Sequence, residues 1–270
     1  RAESNIGPTY RDLRHAPVVP HPYEPVVVSV AAADPDGVTG LTLWYAVNSG
    51  PFASVPMTSQ GGGVFSGLLP GGPASAVYQI YVTGEDGLGA TSSFPALGPA
   101  SRALFQVDDG KAEEVLRNRR IVMTPDDGNW LFEPANLMSN DLLGATVIDD
   151  EQEAFYDVGL RLKSSERGRP EAARVGFALK FQPEQPFRGI FGDLMVDRSE
   201  GIGFGQRELL FNQVMNHAGS VTTHYDDLVK VLTPRPEHTG SAQLQLARFG
   251  DLLLDFQFDG GGDGMLFEYE

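Results

Sequence analysis

Short β-branched runs cut off by turn residues limit what this chain can fold into more than any other feature. Segments 26–32 (VVVSVAA) and 41–47 (LTLWYAV) are separated by Asp34-Pro35-Asp36-Gly37. There Pro presets one turn dihedral, and Gly reaches a positive φ without steric cost. Further short runs follow at 52–57, 64–68, 77–83 and 91–94, each bounded by Gly, Pro, Asn or Asp. Tyr78-Gln79-Ile80-Tyr81-Val82 carries the alternation of a strand. The chain's 32 glycines and 19 prolines favour many such strands over a helical bundle. Six or seven strands at this spacing predict an antiparallel sandwich over residues 16–105. Residues 1–15 show no clear periodicity and read as a lead-in segment. Residues 106–120 read as a linker, in which 111–120 (KAEEVLRNRR) is a charged helical turn or exposed connector.

The composition changes at the same place. Lysine occurs only at Lys111, Lys163, Lys180 and Lys230, so none falls in the first 110 residues. Past the linker, 121–123 reads as a strand and 126–140 as a helix interrupted at Pro134. Strands are expected at 145–148, 154–162, 175–181 and 194–196. A helix is expected over 206–217, with Leu209, Leu210, Val214 and His217 on one face and Gly219 as its stop. Strands at 228–232, 243–247, 252–256 and 265–269 complete the chain. Strands flanking one good helix predict an α+β lobe over 121–270. Trp44 and Trp130 are expected as core anchors.

With 270 residues, 41% of them hydrophobic, the chain can bury two cores. A formal charge of −16 argues against nucleic acid or an anionic membrane as partner, since phosphate surfaces repel such a chain. There is no cysteine, which excludes disulfides and thiolate metal sites. No stretch of 18 apolar residues offers a membrane-spanning helix. The chain starts at Arg1 with no visible signal peptide, and reads as a fragment or processed product.

One segment runs against the acidic composition. Arg161, Lys163, Arg167, Arg169 and Arg174 lie close together, offset by Glu166 and Glu171. Arg161 and Lys163 alternate with Leu160 and Leu162, so a strand would point both cations to the same face. The following Ser164-Ser165-Glu166-Arg167-Gly168-Arg169-Pro170 adds hydroxyls, guanidinium groups and a flexible glycine. Forked donors and approachable backbone are what phosphate binding needs. The same residues also suit a solvated hairpin edge whose charges discourage aggregation.

Residues 156–165 (YDVGLRLKSS), Pro170, Arg174, 175–181 (VGFALKF), Asp197-Arg198-Ser199, the 206–219 helix and 252–270 occur in an order that resembles the CotH (spore coat protein H) family. The resemblance spans roughly 121–270. Residues 16–97 are similar to immunoglobulin-like or fibronectin type III-like modules. These resemblances imply a multidomain chain: an all-β immunoglobulin-like sandwich, then an α+β partial kinase-like domain. CotH proteins are atypical, secreted protein kinases that use ATP and a divalent metal (Mg). Carried over, Lys163, Ser165, Arg174 and Lys180 become candidates for the nucleotide phosphates, and Glu208 for orienting a basic partner. Lys163 stands where the family usually has Arg, and Ser164 where the turn glycine stands. The family's metal-binding and catalytic acids are expected beyond residue 270, which would leave this chain inactive alone. The implied substrate is a protein of the cell surface or coat, and the implied address secreted or cell-surface. The alternative is a non-catalytic surface or structural protein, with the sandwich as adhesion or spacer module.

Three other signals point to bland structure. Gly201-Ile202-Gly203-Phe204-Gly205 lacks a P-loop lysine and reads as a strand-to-helix connection. Asp255, Asp259 and Asp263 lack EF-hand spacing and read as hairpin turn residues. His217 and His224 do not have the i, i+4 spacing of a zinc helix, and no Gly-x-Ser-x-Gly elbow is present.

Overall fold

The Asp34–Gly37 turn closes through its own side chain. Asp34 Oδ1 accepts from the Asp36 amide at 2.9 Å, Asp34 O accepts from the Gly37 amide at 3.1 Å, and Gly37 sits at φ +85°. The computed structural model describes residues 5–163, 175–197, 206–218, 226–247, 254–255, 258–259 and 263. In it the turn joins β2 (Val26–Ala33) to β3 (Val38–Val47). The other strands of this region are β1 (Thr9–Ala16), β4 (Ala53–Gly61), β5 (Val64–Leu69), β6 (Val77–Asp86), β7 (Thr91–Phe94) and β8 (Leu104–Gln106). They form an eight-stranded sheet in the order β1-β2-β5-β4-β3-β6-β7, with β8 also on β6.

Alternation decides which side chains go inside. On β2, Val26, Val28, Val30 and Ala32 are buried while Val27 is 44% exposed. They meet Leu41 and Leu43 of β3 and Tyr78, Ile80 and Val82 of β6 in one apolar core. Tyr78 stacks on Phe105 at 4.7 Å within it. β6 is buried on its reverse face as well. There Gln79 Nε2 donates to Pro99 O at 2.9 Å and Ser101 O at 2.7 Å, so the buried amide is satisfied.

The region read as a lead-in contains β1. Its pattern is hidden by a register shift between Arg11 and Arg14, with Asp12 at φ +57°, so only Leu13 and His15 turn inward. Trp44 is not a core residue either. It lies half-buried on the reverse face of β3, stacked on Tyr81 at 5.9 Å and donating to Thr83 Oγ1 at 2.9 Å.

Beyond residue 110 the elements are β9 (Arg117–Val122), α1 (Pro125–Leu131), β10 (Leu143–Asp149), β11 (Glu153–Lys163), β12 (Gly176–Lys180), β13 (Asp193–Asp197), α2 (Gln206–Ala218), β14 (Asp226–Leu232) and β15 (Gly240–Ala247). Their sheet closes on itself in the order β10-β11-β12-β13-β15-β14-β9. The described chain is therefore mostly β. Helix α1 starts on a Thr124 cap, whose Oγ1 accepts from the Asp127 amide at 3.2 Å. It ends at Leu131, short of the expected 140, and Trp130 is 38% exposed rather than a core anchor. Leu254 and Asp255, expected in a strand, are helical, and the strand expected at 265–269 lies outside the described residues. Among the described residues, no helix is long and apolar enough to cross a membrane.

The chain divides into two compact units. The first is Arg1–Ala112, Arg120–Gly128 and Gly144–Asp157; the second is Glu113–Arg119, Asn129–Leu143 and Val158–Glu270. In the first unit Thr146, fully buried, donates to Arg102 O at 2.6 Å and accepts from the Leu104 amide at 2.8 Å. Arg120, expected in an exposed connector, is completely buried. Its guanidinium meets both Glu151 oxygens at 2.7–3.1 Å, Asp109 Oδ1 at 2.9 Å and Gln106 Oε1 at 3.1 Å. A buried charge persists only when supplied with partners in this way. Burial pushes the Asp109 carboxyl up, but the charge and hydrogen bond of Arg120 outweigh it and hold it below the usual carboxylate range.

Arg119, from the same expected connector, is fully buried in the second unit. Its Nε donates to Gln245 Oε1 at 2.7 Å, and its guanidinium lies 4.6 Å from the centre of the Phe187 ring.

Candidate functional site

The basic segment found in the sequence begins at the end of β11. On this strand Val158, Leu160 and Leu162 are buried, while Gly159, Arg161 and Lys163 lie on the opposite, partly exposed face. The two cations thus share a face, and the apolar residues behind them anchor the strand. The β11–β12 register places Lys163 opposite Gly176, Arg161 opposite Ala178 and Gly159 opposite Lys180. Directly opposed residues point to the same side of a sheet. Lys163 and Lys180 therefore occupy one face but opposite ends of β12. Four residues of strand separate them, about 13 Å. The two lysines are therefore rooted at separate points of that face rather than side by side.

Lys163 Nζ is ion-paired with Asp197 Oδ2 on β13, and each side chain is 29% exposed. Arg161 is held on its own strand's surroundings: its Nη1 donates to Leu162 O at 3.2 Å and lies 3.5 Å from Asn140 Oδ1. Lys180 is exposed, opposite Asp193 of β13. Ser165 and Arg174 lie outside the described residues, as do Gly201–Gly205 and His224. Glu208 falls in α2, and its side chain is likewise outside the described set.

The expected apolar face of α2 does not form a buried stripe. Leu210 is 67% exposed and Val214 57%, and Phe211 joins them, whereas the polar Asn212 is buried. His217 caps locally, donating from Nδ1 to Gln213 O at 2.8 Å.

Sequence reasoning missed Asp197 as the partner of Lys163, because that pairing depends on the register of three strands. It also missed an acidic group in the first unit. Asp34, Asp36 and Asp86 have carboxylate oxygens within 4.8 Å of one another. Asp86 is buried and already accepts from Asn5 Nδ2 at 2.6 Å and from the Leu88 and Ala90 amides at 2.8 Å. Burial pushes its carboxyl up, but these donors prevail and keep it below the ordinary range. The turn residues Asp34-Pro35-Asp36-Gly37 were the available signal, read only as a turn.

No family model matches the chain, and no curated protein matches it. Among solved structures, the crystal structure of a Br derivative of BhCBM56 shows 15% identity and a TM-score of 0.23, covering 31% of this chain and 78% of that one. A likeness of that size carries no functional argument.

Proposed function

We propose that the second unit is the nucleotide-facing part of a CotH-type atypical kinase, and that the first unit is an immunoglobulin-like module accompanying it. The single observation that carries the kinase reading is the cation pair on β11. Arg161 and Lys163 are mounted on one face of a strand whose other face is buried, immediately before a segment rich in arginine and serine. Rigid mounting keeps a positive charge in place for a phosphate without reorganisation. The ordered resemblance over 121–270 supplies the class: ATP with Mg as the phosphoryl donor, and a surface or coat protein as acceptor, at a secreted or cell-surface address.

Strand order supports the module reading. In a constant-type immunoglobulin sandwich the sheets run A-B-E-D and C-F-G. Here β1-β2-β5-β4 and β3-β6-β7 follow the same sequence of neighbours, with β4 also paired to β3.

Titration of the 270-residue chain with ATP, with and without Mg²⁺, tests the kinase reading. Binding should weaken at least about tenfold in Lys163→Ala, the scale of one lost charge-assisted contact. Lys180→Ala, at the other end of β12, should bind like the wild type. Equal affinity in all three proteins would remove the phosphate assignment.

A further inference from the structure

The Lys163–Asp197 pair joins strands that are not neighbours. β12 lies between β11 and β13, and adjacent strands are about 4.8 Å apart, so the two residues are rooted about 9.6 Å apart across the sheet. The pair can close only if the Lys163 side chain lies flat over β12. The residue beneath it is Gly176, the register partner of Lys163. A Cβ there would stand 3.5 Å from Lys163 Cβ, 3.6 Å from Asp197 Oδ1 and 3.0 Å from Val196 O. Glycine leaves the crossing open.

Resting on the nucleotide reading above, we propose that Asp197 is the positioning residue for Lys163, holding its ammonium over Gly176 at the end of β11 where the basic segment begins. This is the role that the family resemblance gave to Glu208. A lysine ammonium has three donors, so one bond to Asp197 leaves two for a phosphate oxygen. Without the carboxylate, the four-carbon stem would swing through solvent, and each binding event would cost the entropy of ordering it. The partial exposure of both side chains lets a ligand reach the pair without unfolding the strand.

The test is an ATP titration of the full chain, comparing wild type, Asp197→Asn and Asp197→Glu, alongside thermal melts. Asp197→Asn should weaken ATP binding about tenfold, and Asp197→Glu should keep it within roughly threefold of wild type. Both should melt close to the wild type, because a partly exposed pair contributes little to stability. With wild-type binding present, equal or tighter binding by Asp197→Asn overturns the inference: the carboxylate would then only neutralise the lysine. If the wild type and every variant fail to bind ATP, the nucleotide reading falls, and the inference falls with it. A direct readout needs no variant. The Lys163 ammonium should give a slowly exchanging ¹⁵N resonance that shifts when ATP is added, and a freely exchanging ammonium would overturn the assignment.

Discussion

Arg120 in the first unit and Lys163 in the second both meet carboxylates, yet they do so in opposite ways. Arg120 is sealed from water and has its donors matched by Glu151, Asp109 and Gln106. Lys163 has Asp197 and keeps roughly a third of its surface open. A buried guanidinium cannot exchange partners without exposing an uncompensated charge, so the first arrangement serves architecture. The second can accept another anion at small cost, which is what a binding group requires. Comparing the two shows that placement, more than charge, separates a structural cation from a candidate ligand-binding one.

The strongest way to break this contrast is at Glu151. Glu151→Ala would strip Arg120 of its bidentate partner, and it should destabilise the first unit by about 3–5 kcal/mol in urea unfolding. A loss below about 1 kcal/mol, the size typical of a surface pair, would place Arg120 in the same class as Lys163.

Acidification probes a second buried group in the first unit. His15 is 4% exposed, stacked on Phe105 at 4.8 Å, with Nε2 donating to Val18 O at 2.8 Å and Nδ1 accepting from Tyr156 Oη at 2.5 Å. Burial lowers its pKa from 6.5 to about 4, against a small opposing effect of the Val18 carbonyl. Burial also raises the Tyr156 hydroxyl well above its usual value, so both partners stay neutral. The folded pKa is below the unfolded one, so the unfolded chain takes up the proton first as pH falls. Stability should be full above about 6.5 and fall by about 3 kcal/mol as pH drops to about 4. Chemical denaturation across that range should show the loss, and His15→Gln should flatten the pH dependence. Asp86 and Asp109, both held below 3.8, keep their stabilising contribution across that range and lose it only as pH falls further.

The smallest effect is expected at the surface pair. Lys163→Ala should change unfolding stability by less than about 1 kcal/mol. A cost as large as that at Glu151 would make Lys163 a structural residue and erase the contrast.

These differences explain what could be read from the sequence. Turn chemistry and alternation showed β2 to β7 directly, and the shared face of Arg161 and Lys163 followed from the period of a strand. β1 stayed hidden because a bulge and the positive φ of Asp12 break its alternation. The burial of Arg119 and Arg120 was illegible because their partners, Gln245 and Glu151, stand far along the chain. Local sequence marks such residues as solvent-facing. In the sequence Asp197 stands out only within Asp197-Arg198-Ser199. Its meeting with Lys163 needs two strand registers and the missing side chain of Gly176.

The discontinuity of the first unit has a practical consequence for anyone dissecting this protein. The change in lysine usage near residue 110 invites a cut there, but Tyr156, Thr146, Arg120 and Glu151 all belong to the unit that begins at Arg1. A piece severed after Ala112 would lose the phenol beside His15, the hydroxyl that bridges Arg102 and Leu104, and the guanidinium facing Asp109 and Gln106. Such a piece would carry β1 to β8 without the partners that bury these groups. Its Leu104, which packs against Val122 and Ile148, would face water. Aggregation of that fragment would then report a misplaced cut, and would say nothing against the module's ability to fold.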